Sequence, residues 1–302
     1  MEVFSVRVFL PLFHVRYEDS WGIRLSPRLP PPRTILGALA KGVGIVLGVE
    51  GGETPIGGEP ARKLLMDAVE SCSYGFVRPL SPLVKTSQIL RIVPAIEQKR
   101  VTPDIFKLKG GELVKQAAKF HDAFKHDIVV SGEMEFVYVL SLEELNDDIA
   151  GNFGGVGREE VLSALRMIDR VGSTESLCWV LSVKHVGLKE VGPRATVNTY
   201  VPVEDPAKWA EPVHVATRGY LIEPLYPNLR VVGMQRVKDV KSVKINFLLP
   251  IYCSEVRRGR EVFEPTEVLV DCVNGYSVYS LHGTGDGETR IVLPRGELDG
   301  LV

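Results

Sequence analysis

Asparagine and glutamine are scarce in this chain of 302 residues, six and four respectively. That scarcity fits a thermophilic source, because amide side chains are thermolabile. No apolar run reaches about 18 residues, so no membrane span is expected. The start MEVFSVRVFLPLF is apolar but alternates like a strand. It lacks a basic leader and a small-residue cleavage site, so no signal peptide is expected and the cytoplasm is the default compartment. The four cysteines, Cys72, Cys178, Cys253 and Cys272, form no CxxC pair and have no histidine at ligand spacing. Neither a zinc site nor a disulfide framework is expected, and no metal or cofactor is implied. There is no GxGxxG, GxxxxGK[ST], GxSxG or HExxH, so nucleotide, α/β-hydrolase and zincin chemistry have no signature. No small-molecule substrate is indicated.

What is present is a divided charge. The net charge is −2. From Arg78 to His126 there are ten Lys/Arg against four Asp/Glu, a balance of +6. From Asn228 to Arg260 there are eight against two, again +6. The rest of the chain therefore carries −14, since −2 less twice +6 leaves that sum. Phosphate binding needs local positive charge and not a basic average.

The order of elements is legible. Val3–Phe13 reads as a first strand. Prolines at positions 27, 30, 31 and 32 make a stiff connector. Thr34 is a candidate cap for a helix buried through Ile35, Leu39 and Val43. A second helix starts near Pro60. Ser73–Arg78 is a second strand, and Ile128–Leu140 is a strand or strand pair, with Glu133 and Glu135 facing away from Met134 and Phe136. Ser141 with Glu144 makes a capping box. Arg158–Arg170 reads as a helix ended by Gly172, and Leu177–Val186 as a further strand. Strand, helix, strand, strand, helix, strand is the order of a ferredoxin-like or RRM-like sheet. Beyond about residue 190 only strands are expected: Ala195–Val203, Val243–Ile251, Glu267–Val273 and Tyr276–Leu281. Asn274-Gly275 signals a type I′ hairpin between the last two. The expected class is therefore α+β. Residues 1–190 form an RRM-like domain with a basic insertion at 79–127, and residues 191–302 form a β-rich region.

Three places suggest chemistry. GNFGGVG at 151–157 leads into a helix whose N-terminus, with Arg158, suits a phosphate. His14, with Arg16 and Tyr17 nearby, is the best cluster for a metal-independent ribonuclease. His121 and His126 are five apart and are poor joint ligands. In an extended Lys85–Arg91 segment, Lys85, Ser87, Ile89 and Arg91 share one side and Thr86, Gln88 and Leu90 the other. Cations with hydroxyl and amide groups are what phosphate and base-edge contacts require. Lys99, Arg100, Lys107 and Lys109 extend that run. Substitution of Lys85 or Arg91 is expected to leave folding nearly unchanged, as for exposed residues generally.

Four stretches, FSVRVFLPLF, PPPRTILGALAKG, YGFVRPLSPLVKTSQILRIVP and MIDRVGSTESL, carry a resemblance to a known family. They span about residues 3–186, and the proline-led, small-residue helix start is the most specific of them. The chain resembles CRISPR-associated protein family five, archaeal subtype I-A, of the RAMP superfamily. The resemblance implies an RRM-like N-terminal domain with a thumb-like insertion that reaches over guide RNA. It implies a subunit that holds the 5′ handle of guide RNA and caps one end of the Cascade filament. Its neighbours would be the backbone and large subunits. Residues expected against RNA are Arg33, Lys41, Arg78, Lys85, Gln88, Arg91, Lys99, Arg100, Lys107, Lys109, Arg158 and Arg170. Subtype I-A relies on a separate processing ribonuclease, so catalysis is not expected. A repeat-RNA endoribonuclease using His14 is the alternative, and a purely protein-binding scaffold is the third reading.

Overall fold

The computed structural model describes residues 1–15, 23–49, 55–56, 59–92, 122–173, 176–204, 212–215, 220–232, 243–283 and 287–297. The first half runs β1 (Glu2–Phe9), β2 (Leu12–Phe13), β3 (Ile23–Arg24), α1 (Pro32–Val46), β4 (Pro55–Ile56), β5 (Glu59–Pro60) and α2 (Ala61–Ser71). It continues β6 (Ser73–Pro79), β7 (Leu83–Ile92), β8 (Asp122–Val130), β9 (Glu133–Leu140), α3 (Leu142–Phe153), α4 (Arg158–Arg166) and β10 (Trp179–His185).

Four of these strands form one antiparallel sheet in the order β10-β1-β9-β6. Helices α1 and α4 pack together on one face of it, and α2 packs beside α1. The α1 stripe of Ile35, Leu39 and Val43 is wholly buried, as its spacing requires. Helix α1 starts two residues before the expected cap. Pro31 is its N-cap and Pro32 its first residue, and no side chain caps it. Proline suits that position because its missing N–H would have had no partner. The helix can pack this closely because Gly42 has no side chain. A Cβ there would meet the Ala164 backbone of α4, 2.9 Å from its carbonyl carbon.

The Ser141 cap is present, its side chain accepting from the Glu144 N–H at 3.4 Å. Helix α4 ends at Arg166, four residues short of the expected end. Gly172 (φ +99°) serves a later turn, where a Cβ would lie 2.8 Å from the His14 carbonyl oxygen.

The second half runs β11 (Gly187–Gly192), β12 (Arg194–Val197), β13 (Val201–Pro202), β14 (Val213–Val215), β15 (Leu221–Leu225), α5 (Leu229–Val232), β16 (Ile245–Leu249) and β17 (Ile251–Arg257). It ends with β18 (Arg260–Pro265), β19 (Val268–Cys272), β20 (Tyr276–His282) and β21 (Arg290–Pro294). These strands build three-stranded sheets in the orders β11-β20-β21, β12-β19-β14 and β13-β16-β15. Asn274 (φ +53°) and Gly275 (φ +83°) make the expected tight turn. Its flanking strands β19 and β20 belong to different sheets, so the turn passes the chain from one layer to the next.

One core joins the two halves. Tyr200, Phe247, Leu249, Ile251, Phe263, Leu281, Ile291 and Leu293 pack in the same cluster as Phe4, Ile35, Leu39 and Tyr138. A smaller cluster lies within the second half alone, around Val197, Val270 and Val278.

Candidate nucleic-acid interface

The connection from β6 to β9 leaves the four-stranded sheet as the hairpin β7–β8, paired from Val84↔Val130 out to Ile92↔Asp122. Its base is built into a larger sheet, in the order β17-β18-β7-β8-β2, with β3 pairing β8 in parallel. The β17–β18 hairpin of the second half therefore flanks the insertion directly, through Arg260↔Thr86 and Phe263↔Leu83. Residues 93–121, which carry Lys99, Arg100, Lys107, Lys109 and His121, lie outside the described residues.

Alternation along β7 places Lys85 and Ser87 on one face, and Thr86 and Gln88 on the other. At Lys85 the first of these faces is closed. The Lys85 ammonium lies 3.1 Å from the Asp127 carboxylate and donates to the Ser26 carbonyl at 2.6 Å. Ser87 donates to the other Asp127 oxygen at 2.5 Å. Asp127 is 2 % exposed, so this is an interior ion pair and not a surface hairpin. Gln88 is exposed. Arg91 stands opposite Ala123 near the outer end of the hairpin.

His14 lies below the same hairpin and is 4 % exposed. Its Nδ1 is 2.8 Å from the Asp127 carbonyl oxygen, and its ring meets that of His126 edge-on at 4.1 Å. The backbone N–H of His14 donates to Ser176 Oγ at 2.9 Å. This histidine is packed into the join between β2, β8 and the turn after α4. Arg16 and Tyr17 lie outside the described residues.

The alternation along β9 sets Glu133 and Glu135 away from Met134 and Phe136, on the sheet face opposite the helices. Glu135 does turn away from the helices, yet it is 5 % exposed. It accepts from Ser5 Oγ and Thr289 Oγ1, each at 2.5 Å. Arg78 stands directly opposite it, 3.5 Å away, and donates to Thr289 Oγ1 at 2.8 Å. The segment leading into β21 lies over this end of the sheet, and Tyr200 covers Phe76 with ring centroids 6.4 Å apart. The part nearer β10 stays open as a narrow cleft lined by Ser5, Arg7, Ser182 and Lys184. Nothing in the local sequence announces the Ser5–Glu135–Thr289 network, since its members are 130 and 154 residues apart.

The remaining candidates are scattered. Arg33 pairs with the buried Glu70 at 3.3 Å. Burial pushes the Glu70 carboxyl up to about 8, against the opposing charge of Arg33. Lys41 pairs with Asp169 at 2.5 Å, and Arg170 is 3.8 Å from the same carboxylate. Arg158 makes two hydrogen bonds to Glu2, at 3.0 and 2.8 Å, which hold the Glu2 carboxyl below the usual range. The Gly157 N–H donates to Glu160 at 3.0 Å, so a carboxylate already occupies the N-terminus of α4. The Cys72, Cys178 and Cys272 thiols are buried and Cys253 is exposed. Among the described residues no group of three or more His, Cys, Asp or Glu is placed to hold a metal ion. No helix of the described residues is long and apolar enough to cross a membrane.

Against known proteins, no family model matches the chain. A CRISPR-associated protein Cas5 of Methanocaldococcus jannaschii is 28 % identical over 257 residues, 83 % of this chain and 86 % of that protein. A CRISPR protein from Archaeoglobus fulgidus, known from a crystal structure, is 15 % identical over 97 % of this chain and 98 % of its own, with a TM-score of 0.49. A chain of a CRISPR RNA-guided surveillance complex is 10 % identical over 88 % of this chain and 91 % of its own, with a TM-score of 0.39.

The class this chain resembles is thus the CRISPR-associated proteins. Within it, the resemblance to family five stands on the Cas5 alignment. An alignment of 257 residues cannot fit within residues 1–190, so the likeness reaches into the C-terminal region that the sequence motifs left out.

Proposed function

We propose that this protein is a non-catalytic, RNA-binding subunit of a type I-A CRISPR surveillance complex. It holds the 5′ handle of guide RNA and caps one end of the backbone filament, beside the large subunit. The four-stranded sheet, in the order fourth, first, third, second, is read as the RRM-like platform of the RAMP superfamily. The observation that carries the proposal is the β7–β8 hairpin. It rises between the second and third strands of that sheet and leads into the basic run of the insertion.

The cations divide by what they already hold. Arg33, Arg78 and Lys85 are committed to partners that are at most 7 % exposed, and they act as structural residues. The exposed pairs of Lys41, Arg158 and Arg170 are weak and can exchange a carboxylate for a phosphate. Arg91, Lys99, Arg100, Lys107 and Lys109, with Gln88, are assigned to the RNA.

The test is fluorescence anisotropy of a labelled, single-stranded RNA carrying the 5′ handle, titrated across salt. Five phosphate contacts give a log–log slope of about −3.5. A flat salt response overturns the assignment. Repeat RNA incubated with and without divalent metal is expected to stay intact. A single defined cut that disappears in His14→Ala would establish the ribonuclease instead.

A further inference from the structure

The β17–β18 hairpin has a second claim on RNA. Its two-residue loop is Arg258-Gly259, with φ of +48° and +78°, and this turn brings Arg257 directly opposite Arg260. Three guanidinium groups therefore crowd one hairpin tip, and every residue from Tyr252 to Arg260 is exposed. Like charges directly opposite on an antiparallel pair oppose folding. Arg28, Arg33, Arg78, Arg158, Arg230 and Arg290 all have a carboxylate partner. Among the described residues, Arg257, Arg258 and Arg260 have none. Glu261, the nearest carboxylate in sequence to Arg260, pairs with Arg28 at 3.3 Å. Three clustered guanidinium groups with no carboxylate paired to them among the described residues are a site for an external anion.

The register says what kind. Arg257, Arg260 and Thr86 are directly opposite one another across three strands, so they share one sheet face. Gln88 lies on that face two residues along β7, and Tyr252, opposite Glu264, lies on it too. Tyr252 is 43 % exposed. Guanidinium forks grip phosphate oxygens bidentately, hydroxyl and amide groups supplement them, and an exposed aromatic ring stacks on a base. An acidic protein surface would also accept from the hydroxyl and amide groups, but a base offers the exposed Tyr252 ring a flat face to stack on. Glu255 and Glu264 on the same face disfavour a purely electrostatic footprint and leave the phosphate contact to the tip.

We propose that Arg257, Arg258 and Arg260, with Thr86, Gln88 and Tyr252 beside them, form a second contact for the backbone of single-stranded RNA. This contact is separate from the 93–121 run, and it rests on the reading of the chain as an RNA-binding subunit. Because β18 pairs with β7, the tip and the β7–β8 hairpin stand in one sheet and grip one continuous strand.

The full-length protein is compared with the triple variant Arg257→Gln, Arg258→Asn, Arg260→Gln. Asparagine is used at 258 because it tolerates the positive φ. The probe is the same labelled handle RNA across salt. The salt slope is expected to shrink by about 2 for three lost contacts, at about 0.7 each, with binding weakened at least tenfold at low salt. The melting temperature is expected to hold or rise. Should the triple variant fold poorly, Arg257→Gln alone is expected to remove about 0.7 of slope. If wild type binds RNA and the folded variant binds with unchanged slope, the second contact is wrong and the RNA-binding reading stands. If wild type binds no RNA at any salt, both fall. If the variant binds RNA normally but no longer co-purifies with its co-expressed backbone subunit, the tip belongs to a protein interface and the proposal is overturned.

Discussion

Lys85 and Asp127 face each other across the β7–β8 hairpin, ammonium to carboxylate at 3.1 Å, in a place where the aspartate is almost wholly buried. The pair closes the hairpin face at the level of Lys85, which withdraws Lys85 from the groups of β7 proposed to meet RNA.

Lys85→Met therefore strands a buried carboxylate. Removing one partner of such a pair costs about 3 kcal/mol, somewhat less here because the Lys85 side chain keeps 15 % exposure. The near-neutral substitution expected from the sequence is thus replaced by a marked loss of stability. Chemical denaturation of Lys85→Met, Asp127→Asn and the double variant checks it. The double variant is expected to recover part of the loss, and equal losses in all three would contradict the pairing.

Glu70 makes stability depend on pH. Burial raises its carboxyl to about 8, while in the unfolded chain it returns to the ordinary range near 4.5. Between those values the folded state holds a proton that the unfolded state has lost. This contribution is complete below about 4.5 and is lost as pH rises towards 8. Urea midpoints measured from pH 5 to 8.5 are expected to fall with rising pH. In Glu70→Gln that fall is expected to flatten, and an unchanged profile would refute the assignment.

Gly42→Ala reverses the usual sign of a helical glycine replacement. Alanine is normally better in a helix by about 1 kcal/mol. Here its Cβ would be driven into the Ala164 backbone, which cannot rotate away. A net destabilisation of about 2 kcal/mol is expected, the scale of overpacking. Gly151→Ala, in α3, meets nothing within 4 Å and is expected to be harmless or mildly stabilising. The comparison of the two melting temperatures decides the point.

Arg78 belongs to the fold. It ties β6 to Thr289 and Glu135, so Arg78→Ala is expected to cost about 1–2 kcal/mol through the hydrogen bonds it abandons. Amide exchange in β21 is expected to speed up more than exchange in β1. The salt slope for RNA is expected to stay within error of wild type, and a drop of about 0.7 would return Arg78 to the RNA.

The sequence by itself determined the elements whose signal is local. The i, i+4, i+8 spacing of Ile35, Leu39 and Val43 sets the buried side of α1 whatever lies against it. Ser141 finds its acceptor role three residues away, and Asn274-Gly275 adopts positive φ because few other residues do so cheaply. The family likeness rested on the same kind of contiguous signal. Tertiary structure alone decided which charges are available. Arg33, Arg78 and Lys85 read like any surface cation, but each meets an acid distant in the chain, 42 residues away for Lys85 and Asp127. Glu135 alternates outward from the helices and is buried all the same, because the second half of the chain covers that face. Arg257 and Arg260 gain their meaning from the register that sets them opposite each other and beside Thr86. Pairing across a sheet depends on which strands meet, and that is settled by packing the whole core, so no window of sequence contains it.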